Sequence, residues 1–136
     1  MFLLDTNTIS HLRDSRRWTP QFAAWEKHSD IRVSFISAIS EFEIQHGIKR
    51  VLPNDPHFAA ALQNWFDHSL RTEFEKRVIP VSSEICRTAA SLALLPTRDL
   101  PDLLISATAL VHDLTVGTRN MKHFHDTGVK ILNPWQ

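Results

Sequence analysis

The chain opens on an apolar triplet, Phe2-Leu3-Leu4, that stops at Asp5-Thr6-Asn7, after which Ile9 and Leu12 recur at helical spacing. An uninterrupted short apolar run predicts a strand buried on both faces, and the change of period predicts a helix behind it. Thr19-Pro20 has the form of a helix N-cap with proline at the first helical position, ahead of Phe22, Ala23 and Trp25. Residues 31–36 are rich in β-branched and aromatic side chains and predict a second strand. Ser40-Glu41-Phe42-Glu43 then has the spacing of a capping box before Ile44 and Ile48, which predicts a helix with Glu43 in its first turn.

From Asn54-Asp55-Pro56 onward, Phe58, Leu62, Trp65, Phe66 and Leu70 follow a helical period and predict one long helix ending near Lys76. Val78-Ile79-Pro80-Val81 reads as a third strand whose proline marks its end or an edge. Ser82 or Ser83 caps a helix through Ile85, Ala89, Leu92 and Leu95, and Pro96 stops it. Asp99-Leu100-Pro101-Asp102 opens a very apolar helix through Ile105, Ala109 and Leu110. A strand over residues 114–117, a turn from Asn120 to Phe124 and a strand over 129–132 complete the chain. Short, almost wholly apolar strands alternating with helices predict an α/β fold, a three-layer α/β/α sandwich with a central parallel sheet.

With 136 residues the chain is expected to form a single domain, 1–136. Its 43% hydrophobic and 22% charged residues exclude a disordered chain, and no apolar stretch is long enough to predict a membrane span. The start lacks the basic leader of a secretory signal, and the one cysteine, Cys86, permits no internal disulfide, so a cytoplasmic location is expected. Cys86 lies between apolar helix positions and is expected to be a small core residue. Fifteen basic and fifteen acidic residues balance, so the molecule as a whole carries no electrostatic footprint for nucleic acid. The basic clusters at Arg13, Arg16 and Arg17, at Lys49 and Arg50, at Arg71, Lys76 and Arg77, and at Arg119 and Lys122 read mostly as solvated helix ends.

In a parallel sheet, ligands bind beyond the carboxyl ends of the strands. Asp5 follows the first strand, Glu43 starts the helix after the second, and Asp102 starts the helix that feeds the fourth, so all three are expected at that edge, with Asn120 leaving the fourth strand beside them. Each residue taken singly also fits a helix cap or the helix dipole. Taken together, carboxylates so placed repel one another unless a cation neutralises them, and oxygen-only ligands favour a hard ion, Mg²⁺ or Mn²⁺. Such a centre suits phosphodiester hydrolysis. No Cys/His spacing of a structural zinc site accompanies the eight histidines, and His123, near Asn120 and placed where it could approach a bound phosphate, reads first as a surface residue in a turn.

These residues resemble a PIN domain, most closely the VapC-type toxins of bacterial toxin–antitoxin pairs. The likeness is carried by Leu3-Leu4-Asp5-Thr6-Asn7, Ser40-x-x-Glu43-Ile44-x-x-Gly47, Asp102 to Ala109, Thr118-Arg119-Asn120-x-x-His123-Phe124 and Asn133-Pro134-Trp135, in order across the whole chain. The resemblance implies a Mg²⁺- or Mn²⁺-dependent ribonuclease acting on RNA phosphodiesters and inhibited by a cognate antitoxin. It implies a site of Asp5, Glu43, Asp102 and Asn120, with Asp5 and Asp102 as principal metal ligands, Glu43 binding a second ion or orienting water, and Thr6 and Thr118 in support. Asn120 is neutral where a fourth acid often stands, and Ser106 stands where alanine is usual, tolerated if it bonds back to a helix carbonyl. The resemblance also implies a homodimer and an antitoxin groove along residues 8–28 and 41–49, where Trp18, Phe22 and Trp25 offer apolar surface. A non-catalytic PIN-like RNA-binding or regulatory module with a structural metal ion is the alternative. A phosphoacceptor signalling domain would want an aspartate ending the third strand, where Pro80-Val81-Ser82 stands.

Overall fold

Five short parallel strands form the centre of the protein, described here by a computed structural model covering residues 1–29, 31–93 and 99–136. They are β1 (Phe2–Leu4), β2 (Ile36–Ser37), β3 (Val78–Ile79), β4 (Thr115–Gly117) and β5 (Lys130–Leu132). β1 pairs with β4, β4 with β5 and β2 with β3, all parallel. A bridge between Leu3 and Phe35, with Leu4 N–H to Phe35 C=O at 3.0 Å and Phe35 N–H to Phe2 C=O at 2.8 Å, joins the two sets. The order is therefore β3-β2-β1-β4-β5, and the direction of progression reverses between β1 and β4.

Seven α-helices connect and cover the strands: α1 (Thr6–Leu12), α2 (Pro20–Ser29), α3 (Ala38–Val51), α4 (Pro56–Trp65), α5 (Arg71–Glu73), α6 (Ser83–Leu92) and α7 (Leu100–His112). Because successive strand residues point to opposite faces, Leu3 and Leu4 enter different cores. Leu3 and Val116 pack with Ile85 and Ala89 of α6 and with Ile105 and Ala109 of α7. Leu4 and Ile36 pack with Ile9 of α1, Ile44 and Ile48 of α3 and Ala59 of α4. Helices thus cover both faces of a parallel sheet. α7 is buried without interruption from Leu103 to Ala109, as a helix that is apolar all round must be.

Several expectations change in detail. The second strand is shorter than residues 31–36, because Ile31–Val33 forms a 3-10 turn and pairing starts at Phe35. The helix expected to run from Asn54 to Lys76 is continuous from Pro56 to Glu73, with a π-helical turn at Phe66–Leu70 inside it whose two end residues lie in the core. Cys86 is exposed, not a core residue: the buried side of α6 runs through Ile85 and Ala89, and Cys86 lies one residue, or about 100°, round the helix from Ile85. Ser106 makes no back-bond to a carbonyl; its hydroxyl is buried without a partner, and Thr108 Oγ1 instead donates to Leu104 C=O at 2.6 Å. The expected end of α6 at Leu95 and Pro96 lies outside the described residues.

The aromatic residues of α2 are largely consumed within the chain. Phe22 is fully buried and touches the rings of Trp18, Trp25, His11 and Trp135, so the last turn of the chain closes over the second helix. The large apolar side chains left most open, apart from Met1, are Leu100 at the start of α7 and Phe42 on α3, where Phe42 stacks on His46. Among the described residues no helix is long and apolar enough to cross a membrane.

Candidate active site

Asp5 leaves β1 and Thr118 leaves β4 side by side, at the carboxyl edge where the strand order reverses. Asp5 is 5% exposed, and its carboxylate is held from two directions. Oδ1 accepts from the Thr8 backbone N–H at 2.8 Å, which makes Asp5 the N-cap of α1, and Oδ2 accepts from Thr118 Oγ1 at 2.5 Å. Thr118 Oγ1 in turn accepts from Asn120 N–H at 2.9 Å, and Thr8 Oγ1 donates to Gly117 C=O at 2.9 Å. Asn120 is thereby tied by its backbone to the same edge. Asp5 serves both readings weighed above, cap and site residue, since a carboxylate has about four lone-pair positions and these bonds occupy two.

Glu43 reaches the site by a different route from the expected one. α3 begins at Ala38 with Ser37 as its N-cap, the Ser37 hydroxyl accepting from Ile39 N–H at 3.1 Å, so Ser40 and Glu43 are not a capping box and Glu43 lies in the second turn. Both side chains turn instead to α1: Thr6 Oγ1 donates to Glu43 Oε1 at 2.5 Å and stands 3.0 Å from Ser40 Oγ. The spacing seen in the sequence is real, but the cap lies three residues earlier, which frees Glu43 to meet Thr6.

Asp102 lies in the first turn of α7 with its side chain 23% exposed, and His123 Nδ1 approaches its Oδ2 to 3.2 Å. Burial pushes the Asp102 carboxyl above the ordinary carboxylate range; His123 opposes this, and the charges of Glu43, Asp99 and Asp5 add to it. Asp5, Glu43 and Asp102 therefore share one electrostatic neighbourhood. Two members of it were not placed among the site residues by the sequence. Asp99, the N-cap of α7, makes no side-chain capping bond and adds negative charge three residues before Asp102. His123 is a half-exposed partner of Asp102 as well as a turn residue. The Asp99-x-x-Asp102 spacing, one helical turn, was the available signal for the first; nothing in the sequence pairs His123 with Asp102.

Among the described residues, no three His, Cys, Asp or Glu side chains stand close enough to enclose a metal ion as they are. The donor chemistry nevertheless fits a hard cation. Every candidate ligand is an oxygen, Asp102 lies among acidic neighbours, and Mg²⁺ takes one or two carboxylates and completes its shell with water, so it needs no ready-made trio.

Beside Glu43 a cleft of about 370 Å³ opens between α1, α3 and α4. Its walls carry Arg13, Arg17 and Arg50 together with Ile48, Leu62 and Trp65.

An open parallel sheet with helices on both faces and an acidic, threonine-buttressed edge at its switch point defines a class of α/β domains that bind ligands beyond the strand ends. The PIN domain family model matches residues 2–130. The chain belongs to the PIN domain family. Among curated proteins it is similar to the VapC ribonuclease Y4jK of Sinorhizobium fredii, 29% identical over 100% of this chain and 99% of the relative. It is also similar to Toxin FitB of Neisseria gonorrhoeae, 30% identical over 99% of both chains. Among solved structures, the FitAcB crystal structure from Neisseria gonorrhoeae superposes with a TM-score of 0.86 at 27% identity, covering 100% of this chain and 99% of that one. The structure of FitAB bound to an IR36 DNA fragment gives 0.83 at 27% identity, over 100% and 96%.

Proposed function

We propose that the protein is a Mg²⁺- or Mn²⁺-dependent endoribonuclease toxin that hydrolyses RNA phosphodiester bonds and is neutralised by a cognate antitoxin. The observation that carries this reading is the shared neighbourhood of Asp5, Glu43 and Asp102 at the switch point of a PIN-family sheet. Relatives that span the same length and are named as a VapC ribonuclease and a toxin support it, as do structures of FitB in its FitAB complex.

In this reading Asp5 and Asp102 hold the cation, and Glu43 holds a second ion or orients water. A bound divalent cation would polarise the phosphoryl oxygen and acidify a water enough for attack near neutral pH. The residues of the chain prepare that chemistry. Thr118 Oγ1 and Thr8 N–H fix both oxygens of Asp5, so that carboxylate does not reorient when substrate arrives. Thr6 fixes Glu43 Oε1 and leaves Oε2 to accept a proton from, or align, the attacking water. Asn120 adds a polar group and no charge beyond those of Asp5, Glu43, Asp99 and Asp102, which limits further repulsion of an anionic phosphate. His123 Nδ1, 3.2 Å from Asp102, adds a ring nitrogen to the acidic edge. A homodimer in the cytoplasm, as expected from the sequence, completes the proposal.

The test is incubation of antitoxin-free protein with mixed cellular RNA and Mg²⁺ or Mn²⁺, with a chelator arm and an Asp102→Asn control. Metal-dependent fragments absent from the control are expected. Intact RNA in the presence of a folded, ion-binding protein would overturn the ribonuclease reading in favour of the non-catalytic module.

A further inference from the structure

The net charge of zero conceals an uneven distribution. An acidic site repels a polyanion, so a nuclease with Asp5, Glu43, Asp99 and Asp102 at one edge needs positive charge close by to hold its substrate there. In the sequence Arg13, Arg17 and Arg50 belong to two separate clusters that read as solvated helix ends. In the folded chain they line one cleft, and the same cleft includes Thr6 and Glu43. Three arginines face one glutamate there, a surplus of two positive charges directly beside the acidic edge.

The neighbouring acid offsets them only in part: it acts on Arg13, but its main partner is Arg16. Asp14 is engaged by Arg16, whose Nε and Nη2 donate to its two oxygens at 2.9 Å each, and this bond first of all holds the Asp14 carboxyl down to about 2. Arg13 lies over the Phe58 ring at 5.4 Å, which fixes its stem against α4. Arg17 and Arg119 both act on His11, and Arg119 follows Thr118 directly in the chain, so the positive charge is not confined to the cleft. Arg119 is itself stacked over Trp135 at 5.6 Å. The apolar side of the cleft, with Leu62 and Trp65, suits a base, whereas a fully solvated salt-bridge surface would not.

We propose that this cleft is the track for single-stranded RNA leading to the acidic site, with Arg13, Arg17 and Arg50 on the phosphates and the Leu62–Trp65 wall against a base. The proposal rests on the ribonuclease reading for its biological sense, but its test does not depend on cleavage. A labelled single-stranded RNA oligonucleotide is titrated with the full chain in chelator at several salt concentrations. Variants are Arg13→Gln, Arg17→Gln and Arg50→Gln combined, the same three positions changed to lysine, and Arg87→Gln on exposed α6 as a control.

Each phosphate neutralised on a single strand contributes about −0.7 to the slope of log affinity against log salt, so three contribute about −2. Between 50 and 200 mM salt that share amounts to about 20-fold in affinity, which the triple glutamine variant should no longer lose. The triple lysine variant should keep most of the slope, and Arg87→Gln should keep all of it. Near-ultraviolet circular dichroism reports whether each variant is folded, and the lysine variant carries the test if the glutamine variant is not. An unchanged slope in the folded glutamine variant, or a lysine variant that binds no better than a folded glutamine variant, would overturn the proposal. So would glutamine substitutions that spare RNA but abolish binding of poly-glutamate, since that would assign the cleft to an acidic polypeptide. RNA bound through the arginines by a protein that cleaves none would leave the track standing and sink the ribonuclease reading. Cleavage that ignores the arginines would do the reverse.

Discussion

Thr118→Val removes one hydroxyl from the centre of the site and leaves a side chain of nearly the same shape. The hydroxyl is fully buried; it donates to Asp5 Oδ2 and accepts from Asn120 N–H. A hydrogen bond to a charged group contributes about 1.5–3 kcal/mol and a neutral one about 1 kcal/mol. With Asp5 almost wholly excluded from solvent, little water can replace the lost donor, so the expected cost is about 3 kcal/mol. For a chain of this length the unfolding entropy near the midpoint is about 0.3 kcal/mol per kelvin, which converts the loss into a fall in Tm of about 10 °C. The assay is thermal unfolding followed by circular dichroism in chelator, with Thr118→Ser alongside. Serine keeps the hydroxyl and loses only a methyl, so it should retain most of the stability and most of the activity, whereas valine should lose both. A valine variant as stable as the parent, or a serine variant no better than valine, would refute the argument that this hydroxyl anchors Asp5.

Three further outcomes follow from the same structure. Asp102→Asn should abolish metal-dependent cleavage, and in metal-free buffer it should leave the protein as stable or more stable. Because the folded carboxyl titrates above its unfolded value, the stability it contributes is complete below the usual carboxylate range and is lost as pH rises through the folded value. Urea midpoints of the two proteins should therefore diverge in favour of the variant as pH rises, and a variant destabilised at neutral pH would mean that Asp102 is primarily structural. Arg77→Met should lower stability by about 2–4 kcal/mol in urea unfolding, since Arg77 donates to the carbonyls of Ile31, Ser34 and Glu73 and its loss leaves them short of a partner. Exposed Cys86 should react stoichiometrically with a thiol reagent in the folded protein, and Cys86→Ser should change stability by less than about 0.5 kcal/mol.

The layered α/β arrangement was legible because strand burial and helix periodicity are written locally: Leu3 and Leu4 announce a two-sided core, and the apolar α7 announces a central helix. What escaped the sequence was decided by contacts distant along the chain. Ser40 and Glu43 obey a local capping rule as written, yet Ser37 takes the cap and Thr6, at the start of α1, takes both side chains. The helical period from Phe58 to Leu70 carries through the π turn, and Phe66 and Leu70 both reach the core. Cys86 shows the limit of reading single positions: one step from Ile85 along α6 separates interior from solvent. The aromatic side chains of α2 looked surplus because their partner, Trp135, is the penultimate residue.

The bond between Asp5 and Thr118 also sets a clock on synthesis. The first strand made is the middle strand of the finished sheet, and one of its two neighbours is β4, more than a hundred residues later. At about 5–20 residues per second, a nascent chain spends several seconds to tens of seconds with Asp5 and Glu43 already translated and the anchor of Asp5 not yet made. The acidic edge can be assembled only after Thr118 has left the ribosome. A chain cut short before that point lacks both the strand beside β1 and the hydroxyl that anchors Asp5, so a fragment ending there carries an incomplete acidic edge.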